Sequence, residues 1–144
     1  MDLPNKIKVA YYVAYCAHKG QKDKADCDYI NHCIAVSDGV NGEKEKIIAL
    51  LHDVLEDTKF SEKDLRILFG DEIVDVLLIL KYNPSAENYF DYIKRIKRSS
   101  ELAKTVKLAD LKHNSDLSRL PAITEKDIVR KEKYQKAIQI LSSD

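Results

Sequence analysis

Only four glycines and three prolines interrupt the 144 residues of this chain. Apolar residues recur at i, i+3 and i+4 nearly throughout, which is the period of an amphipathic helix. No convincing strand, internal repeat, linker or low-complexity tract breaks that pattern. The reading is all-α, a compact single-domain helical bundle, with residues 1–144 as one domain. The first helix is expected over IKVAYYVAYCAHKG, ending at Gly20, and a short second over YINHCIAVSDGV, closed by Gly39. EKEKIIALLHDVLEDT reads as one continuous third helix. Ser61 to Asp64 (SEKD) fits a capping box and opens a fourth helix that ends near Gly70. DEIVDVLLILKY follows and is closed by Pro84. ENYFDYIKRIKRS and ELAKTVKLADLKHNSDL come next. Thr124 to Asp127 (TEKD) caps a last helix running to about Leu141.

Charge narrows the function classes. Lys+Arg and Asp+Glu are both 24, so the formal net charge is zero. No basic excess supplies the field of a nucleic-acid or membrane-surface binder, so neither partner is expected. No apolar run reaches the roughly 18 residues of a membrane span. The first residues lack the apolar core of a signal peptide. Three cysteines without a C-x-x-C do not make a disulfide framework. A reducing cytoplasm is the simplest reading, and Cys16, Cys27 and Cys33 are read as packing residues.

The stretch LLHDVLEDT, residues 50 to 58, sets the chemical problem. On a helix, Ile47, Leu50, Leu51, Val54 and Leu55 fall on one side. His52, Asp53, Glu56 and Asp57 fall on the other, with Ala49 among them. Asp53 and Asp57 repel as an i, i+4 pair. The acids also sit in the last turns, where the macrodipole disfavours negative charge by about 0.3–1 kcal/mol. A face chosen for solubility would carry lysine there. A bound cation reverses both penalties.

One helix cannot complete a metal site. His52 and Asp53 offer one nitrogen and one oxygen. His32 in YINHC and Asp110 in VKLADLKHN are the candidate further ligands. Such a His/His/Asp/Asp set suits Mn²⁺, Fe²⁺, Co²⁺ or Zn²⁺. If Asp53, Glu56, Asp57 and Asp110 gather within about 6 Å, each pair repels by roughly 3 kcal/mol at an effective dielectric near 20.

These segments together resemble the HD-domain metal phosphohydrolases, and within them the alarmone hydrolase domain of the RelA/SpoT proteins and their small single-domain relatives. The resemblance runs from about Ala17 to Leu120. It rests on AHKGQKDK…YINH, then ALLHDVLEDT, then VKLADLKHN, in that order. It implies a helical bundle of the HD-domain type and metal ligation by His32, His52, Asp53 and Asp110. It implies Glu56 and Asp57 as catalytic acids, Asn114 as a nucleoside contact and Lys24 as a phosphate contact. It implies Mn²⁺ as the metal and guanosine 3′,5′-bis(diphosphate), hydrolysed at its 3′ bond, as the substrate. Asp23 departs from the pattern, standing where the family has arginine, with Lys22 adjacent. Cys33 follows His32 where the family usually has proline, and the segment between Asp57 and Asp110 is short.

The expected reaction is therefore metal-dependent hydrolysis of a small phosphorylated nucleotide, with Lys24 and Lys81 neutralising phosphate charge. Two other classes stand beside it: an HD phosphohydrolase acting on another nucleotide or a nicotinamide cofactor phosphate, and a nucleotide-binding regulatory module without turnover. His18 reads as a structural histidine and His113 as one tying helices together. Tyr89 and Tyr92 divide between core packing and base stacking. KRIKR, residues 94 to 98, reads as a solvated face.

Overall fold

The computed structural model describes the backbone of residues 1–144 and every side chain but that of Asp57. The chain forms α1 (Leu3–Ala17), α2 (Ile30–Asp38), α3 (Glu43–Leu51), α4 (Val54–Asp57), α5 (Glu62–Phe69), α6 (Asp71–Leu80), α7 (Tyr89–Ser99), α8 (Glu101–Ser115) and α9 (Glu125–Ser142). A 3-10 turn at Leu117–Arg119 joins α8 to the approach of α9. Among the described residues the only extended pairing is an isolated bridge, Lys22 to Asp28, in the loop after α1. The all-α expectation holds. No helix among the described residues is long and apolar enough to cross a membrane.

Local signals account for most helix ends. Ser61 accepts from the Asp64 amide at 3.1 Å, capping α5. Thr124 and Asp127 cap α9 reciprocally, each side chain taking the other's backbone N–H. Gly70 sits at φ 88°, a conformation L side chains rarely adopt. It turns α5 into α6 with no other residue between them. The first helix starts earlier than Ile7, because Asp2 accepts from the Asn5 amide at 2.9 Å and Pro4 fits the first turn. At the end of α6, side chains from α7 satisfy the last carbonyls. Tyr92 donates to Leu80, and Arg95 donates to Ile79 at 2.9 Å and to Lys81 at 3.3 Å.

α3 is the axis of the bundle and packs against α1, α2, α6 and α8. Ile47, Ile48, Ala49, Leu50 and Leu51 are each at most 3% exposed. The expected polar face at Ala49 is therefore absent, and the expected continuous helix stops after Leu51. Asp53 takes φ −106°, ψ 0°, between the main allowed regions. The His52 ring donates from Nδ1 to the Ala49 carbonyl at 2.6 Å. In a continuing helix that carbonyl would receive the Asp53 amide. A disturbed backbone hydrogen bond costs about 1 kcal/mol. Burying one leucine or valine contributes about 1.5–3 kcal/mol. Leu51 and Val54, both fully buried on either side of the break, outweigh it. The Thr58 hydroxyl then donates to the Val54 carbonyl at 2.6 Å and ends α4.

Candidate metal centre and its flanking cavities

The break after α3 turns His52 and Asp53 toward α2 and α8. His32, His52 and Asp53 each offer one ligand atom, and these atoms all lie within 4.8 Å of one another. Asp110, from α8, joins them: its Oδ1 is 2.9 Å from His32 Nε2 and 3.4 Å from His52 Nε2. All but Asp53 are buried, and the Asp53 side chain is only 18% exposed.

Each ligand atom is held from behind. Tyr29 donates its hydroxyl to Asp53 Oδ2. Lys107 donates to Asp110 Oδ2 at 2.8 Å, which leaves Oδ1 toward the histidines. Asn114 donates to that Oδ1 at 3.1 Å. His113 meets His32 through the two Nδ1 atoms at 2.7 Å. His18, buried at the end of α1, bonds Gln21 at 2.9 Å, and its ring lies 4.8 Å from that of Tyr29.

His52 carries the decisive atom. With Nδ1 donating to a carbonyl, Nε2 is the ring atom left for a proton or a cation. Nε2 is 2.9 Å from Asp53 Oδ2, yet neither this approach nor that to Asp110 has hydrogen-bond geometry. Among the described residues it is a buried nitrogen without a hydrogen-bond partner. Burial pushes the His52 pKa down, but Asp53 and Asp110 outweigh burial and raise it well above its ordinary value. Burial likewise raises Asp110, and Lys107 first, then His52, more than reverse this and hold it low. Asp53 and Asp110 thus draw positive charge to His52 Nε2, where a divalent cation would take the place of a proton. These donors fit a divalent cation of the kind that mixed nitrogen–oxygen sites select.

Two cavities flank the group, His32 lining one and His52, Asp53 and Asp110 the other. The larger, about 360 Å³, is lined by Tyr29, His32, Lys24, Asn114, Arg119 and Arg130, among others. The smaller, about 160 Å³, is lined by His52, Asp53, Asp110, Glu56, Lys107 and the rings of Tyr82, Tyr89 and Tyr92. Of the substrate contacts expected from sequence, Lys24 and Asn114 stand on the larger cavity. Lys81 is exposed and lines neither. Glu56 lines the smaller cavity, and the Asp57 side chain lies outside the described residues. Tyr92 is core, its hydroxyl spent on Leu80. Tyr89 lines the smaller cavity, and its buried hydroxyl has no hydrogen-bond partner among the described residues. Arg95 of the KRIKR stretch serves structure, pairing with Glu87 at 2.7 Å.

Tyr29, Lys107 and Arg119 were not anticipated. Lys107 had a readable signal, standing three residues before Asp110 on one helix face. Tyr29 and Arg119 had none that is local.

No family model matches the chain. It is 32% identical over 127 residues to the bifunctional (p)ppGpp synthase/hydrolase SpoT of Escherichia coli (strain K12), a match covering 78% of this chain and 18% of that protein. It is 35% identical over 114 residues to the guanosine-3′,5′-bis(diphosphate) 3′-pyrophosphohydrolase MESH1 of Danio rerio, covering 71% of this chain and 63% of that one. Among solved structures it is similar to one described as a metazoan ortholog of SpoT that hydrolyzes ppGpp. That likeness has a TM-score of 0.80 and 28% identity, over 96% of this chain and 86% of the other.

Proposed function

We propose, on the premise that this chain is a homologue of the SpoT and MESH1 proteins, that it is a metal-dependent phosphohydrolase acting on guanosine 3′,5′-bis(diphosphate). The bond cleaved is the 3′ ester, giving guanosine 5′-diphosphate and pyrophosphate. The observation that carries the reading is His52 Nε2, buried between Asp53 and Asp110 without a hydrogen-bond partner among the described residues. Residues 1–144 act as one domain in this reading.

His32, His52, Asp53 and Asp110 are the residues that would hold the cation, and Mn²⁺ is our assignment for it. When bound, such an ion supplies Lewis acidity and lowers the pKa of water. The chain's own residues do the rest. Tyr29 and Lys107 fix the two carboxylates, so the donor set is organised before substrate arrives. Glu56, on the smaller cavity, takes the proton of the attacking water. Asp57 is assigned with it on the resemblance. Asn114 orients the nucleoside and Lys24 neutralises phosphate charge.

The acid Asp23 on the larger cavity favours a second reading, a different phosphorylated nucleotide. One experiment separates the two. Purified protein with Mn²⁺ is offered guanosine tetraphosphate, common nucleotides and nicotinamide cofactor phosphates, and products are identified. Pyrophosphate with guanosine diphosphate supports the first reading. Orthophosphate from another nucleotide replaces it with the second, and no turnover of any substrate removes the enzymatic reading.

A further inference from the structure

The larger cavity has four cationic side chains on its lining, Lys22, Lys24, Arg119 and Arg130. Lys22 is occupied by Asp28 at 2.7 Å. Arg130 pairs with Asp127, the acid that caps α9. Arg119 is arranged differently. Its Nη1 lies 3.3 Å from Asp23 Oδ2, and its Nη2 makes only a long approach, 3.5 Å, to the His113 carbonyl. Asp23 itself cannot swing. Its Oδ1 accepts the amides of Ala25 and Cys27 at 2.9 and 3.0 Å, which ties it to its own loop. A carboxylate fixed in the loop after α1 thus braces a guanidinium from the 3-10 turn after α8, 96 positions away. Lys24, one residue on, has no ion pair among the described residues. Burial first, then the nearby Arg130, lower it below its ordinary value, against the opposing pull of Asp127.

We propose that Arg119, braced by Asp23 and joined by Lys24, recognises the diphosphate of the substrate that does not react. This rests on the function proposed above, where the 3′-diphosphate meets the metal group at the His32 wall and the 5′-diphosphate must lie elsewhere in the same cavity. A guanidinium is suited to that task because its planar fork meets phosphate oxygens in pairs. The acid at position 23 then does not repel the substrate outright. It spends its charge on Arg119 and sets the direction of the fork.

The test is equilibrium binding of guanosine 5′-diphosphate, without added metal, with guanosine as the uncharged control. Wild type is expected to bind the diphosphate more tightly than guanosine. Arg119→Gln should weaken diphosphate binding by about 10- to 150-fold, the range for a charge-assisted hydrogen bond, and leave guanosine unchanged. Arg119→Lys should restore part of the loss. Asp23→Asn keeps an oxygen for the two loop amides but loses the brace on Arg119, so it should weaken diphosphate binding by clearly less than Arg119→Gln does. If Asp23→Asn and Arg119→Gln lose binding equally, Arg119 only braces the loop and the inference falls. It also falls if wild type does not prefer the diphosphate, or if Arg119→Gln binds as wild type does. Failure of the functional reading looks different: guanosine tetraphosphate is not turned over, while the Arg119-dependent binding of the diphosphate persists.

Discussion

His32 and His113 face each other through their Nδ1 atoms at 2.7 Å, joining α2 to α8 at the centre of the candidate site. Two Nδ1 atoms this close share one proton. Burial first, then His32 and Arg119, lower the His113 pKa to about 4, so its ring is neutral near pH 7. A carboxylate only accepts, so His32 Nε2 donates to Asp110 Oδ1 at 2.9 Å; a cation there would take the Nε2 lone pair, with the ring's proton moved to Nδ1 toward His113. His113→Ala should then weaken Mn²⁺ binding by about 10- to 100-fold, the usual effect of removing a partner behind a metal ligand. Calorimetric titration of the protein with Mn²⁺ checks this. An unchanged affinity would mean that the pair only ties two helices together.

His52→Ala removes the nitrogen that has no hydrogen-bond partner. Saturating Mn²⁺ at about 100 times its Kd should stabilise wild type by about 2.7 kcal/mol. The variant should show no such rise. Melting curves with and without Mn²⁺ decide it, and an equal rise in both proteins would remove His52 from the ligand set.

Glu56→Gln should keep the metal-dependent rise in melting temperature and lose turnover by about 10²- to 10⁴-fold. Asp57→Asn is expected to do the same. Steady-state rates on guanosine tetraphosphate, with metal content measured in parallel, separate loss of chemistry from loss of the ion. Wild-type rates in both variants would fault the assignment.

Lys107→Met breaks a buried pair and leaves Asp110 facing Asp53 without its lysine. The destabilisation expected for an abandoned buried charge is about 3–5 kcal/mol. Added Mn²⁺ should recover part of it, since a cation can take over the neutralisation. Denaturant unfolding with and without the metal tests both statements. A loss below about 1 kcal/mol would show that Asp110 is not held by Lys107.

Asp127 should give an acid-side signature. The Thr124 amide first, then the Thr124 hydroxyl and Arg130, hold its carboxyl below the ordinary 3.8. A lowered folded pKa means the stabilisation is fully present above the unfolded value and disappears as pH falls through the folded one. Asp127→Asn should therefore melt below wild type at neutral pH, and the gap should close in strong acid. A gap independent of pH would assign the effect to packing instead.

The sequence by itself determined the helical class, most helix ends, and the residues that meet around His52. These are legible because their causes are local. The 3.6 period declares a helix, Ser61 and Thr124 reach amides three residues on, and histidine and aspartate announce ligand chemistry by type. The same local signals read α3 and α4 as one helix, because nothing near Asp53 in the chain marks a break. Packing decided that, through the burial of Leu51 and Val54 and the His52 bond to Ala49. Tertiary structure alone also decided the partners. His32 and His113 are 81 positions apart, Asp23 and Arg119 are 96 apart, and Tyr29 reaches Asp53 across 24. A side chain's identity fixes what it can bond to. Which group stands within 3 Å of it is fixed by how α2, α3 and α8 pack, and that depends on the whole core at once.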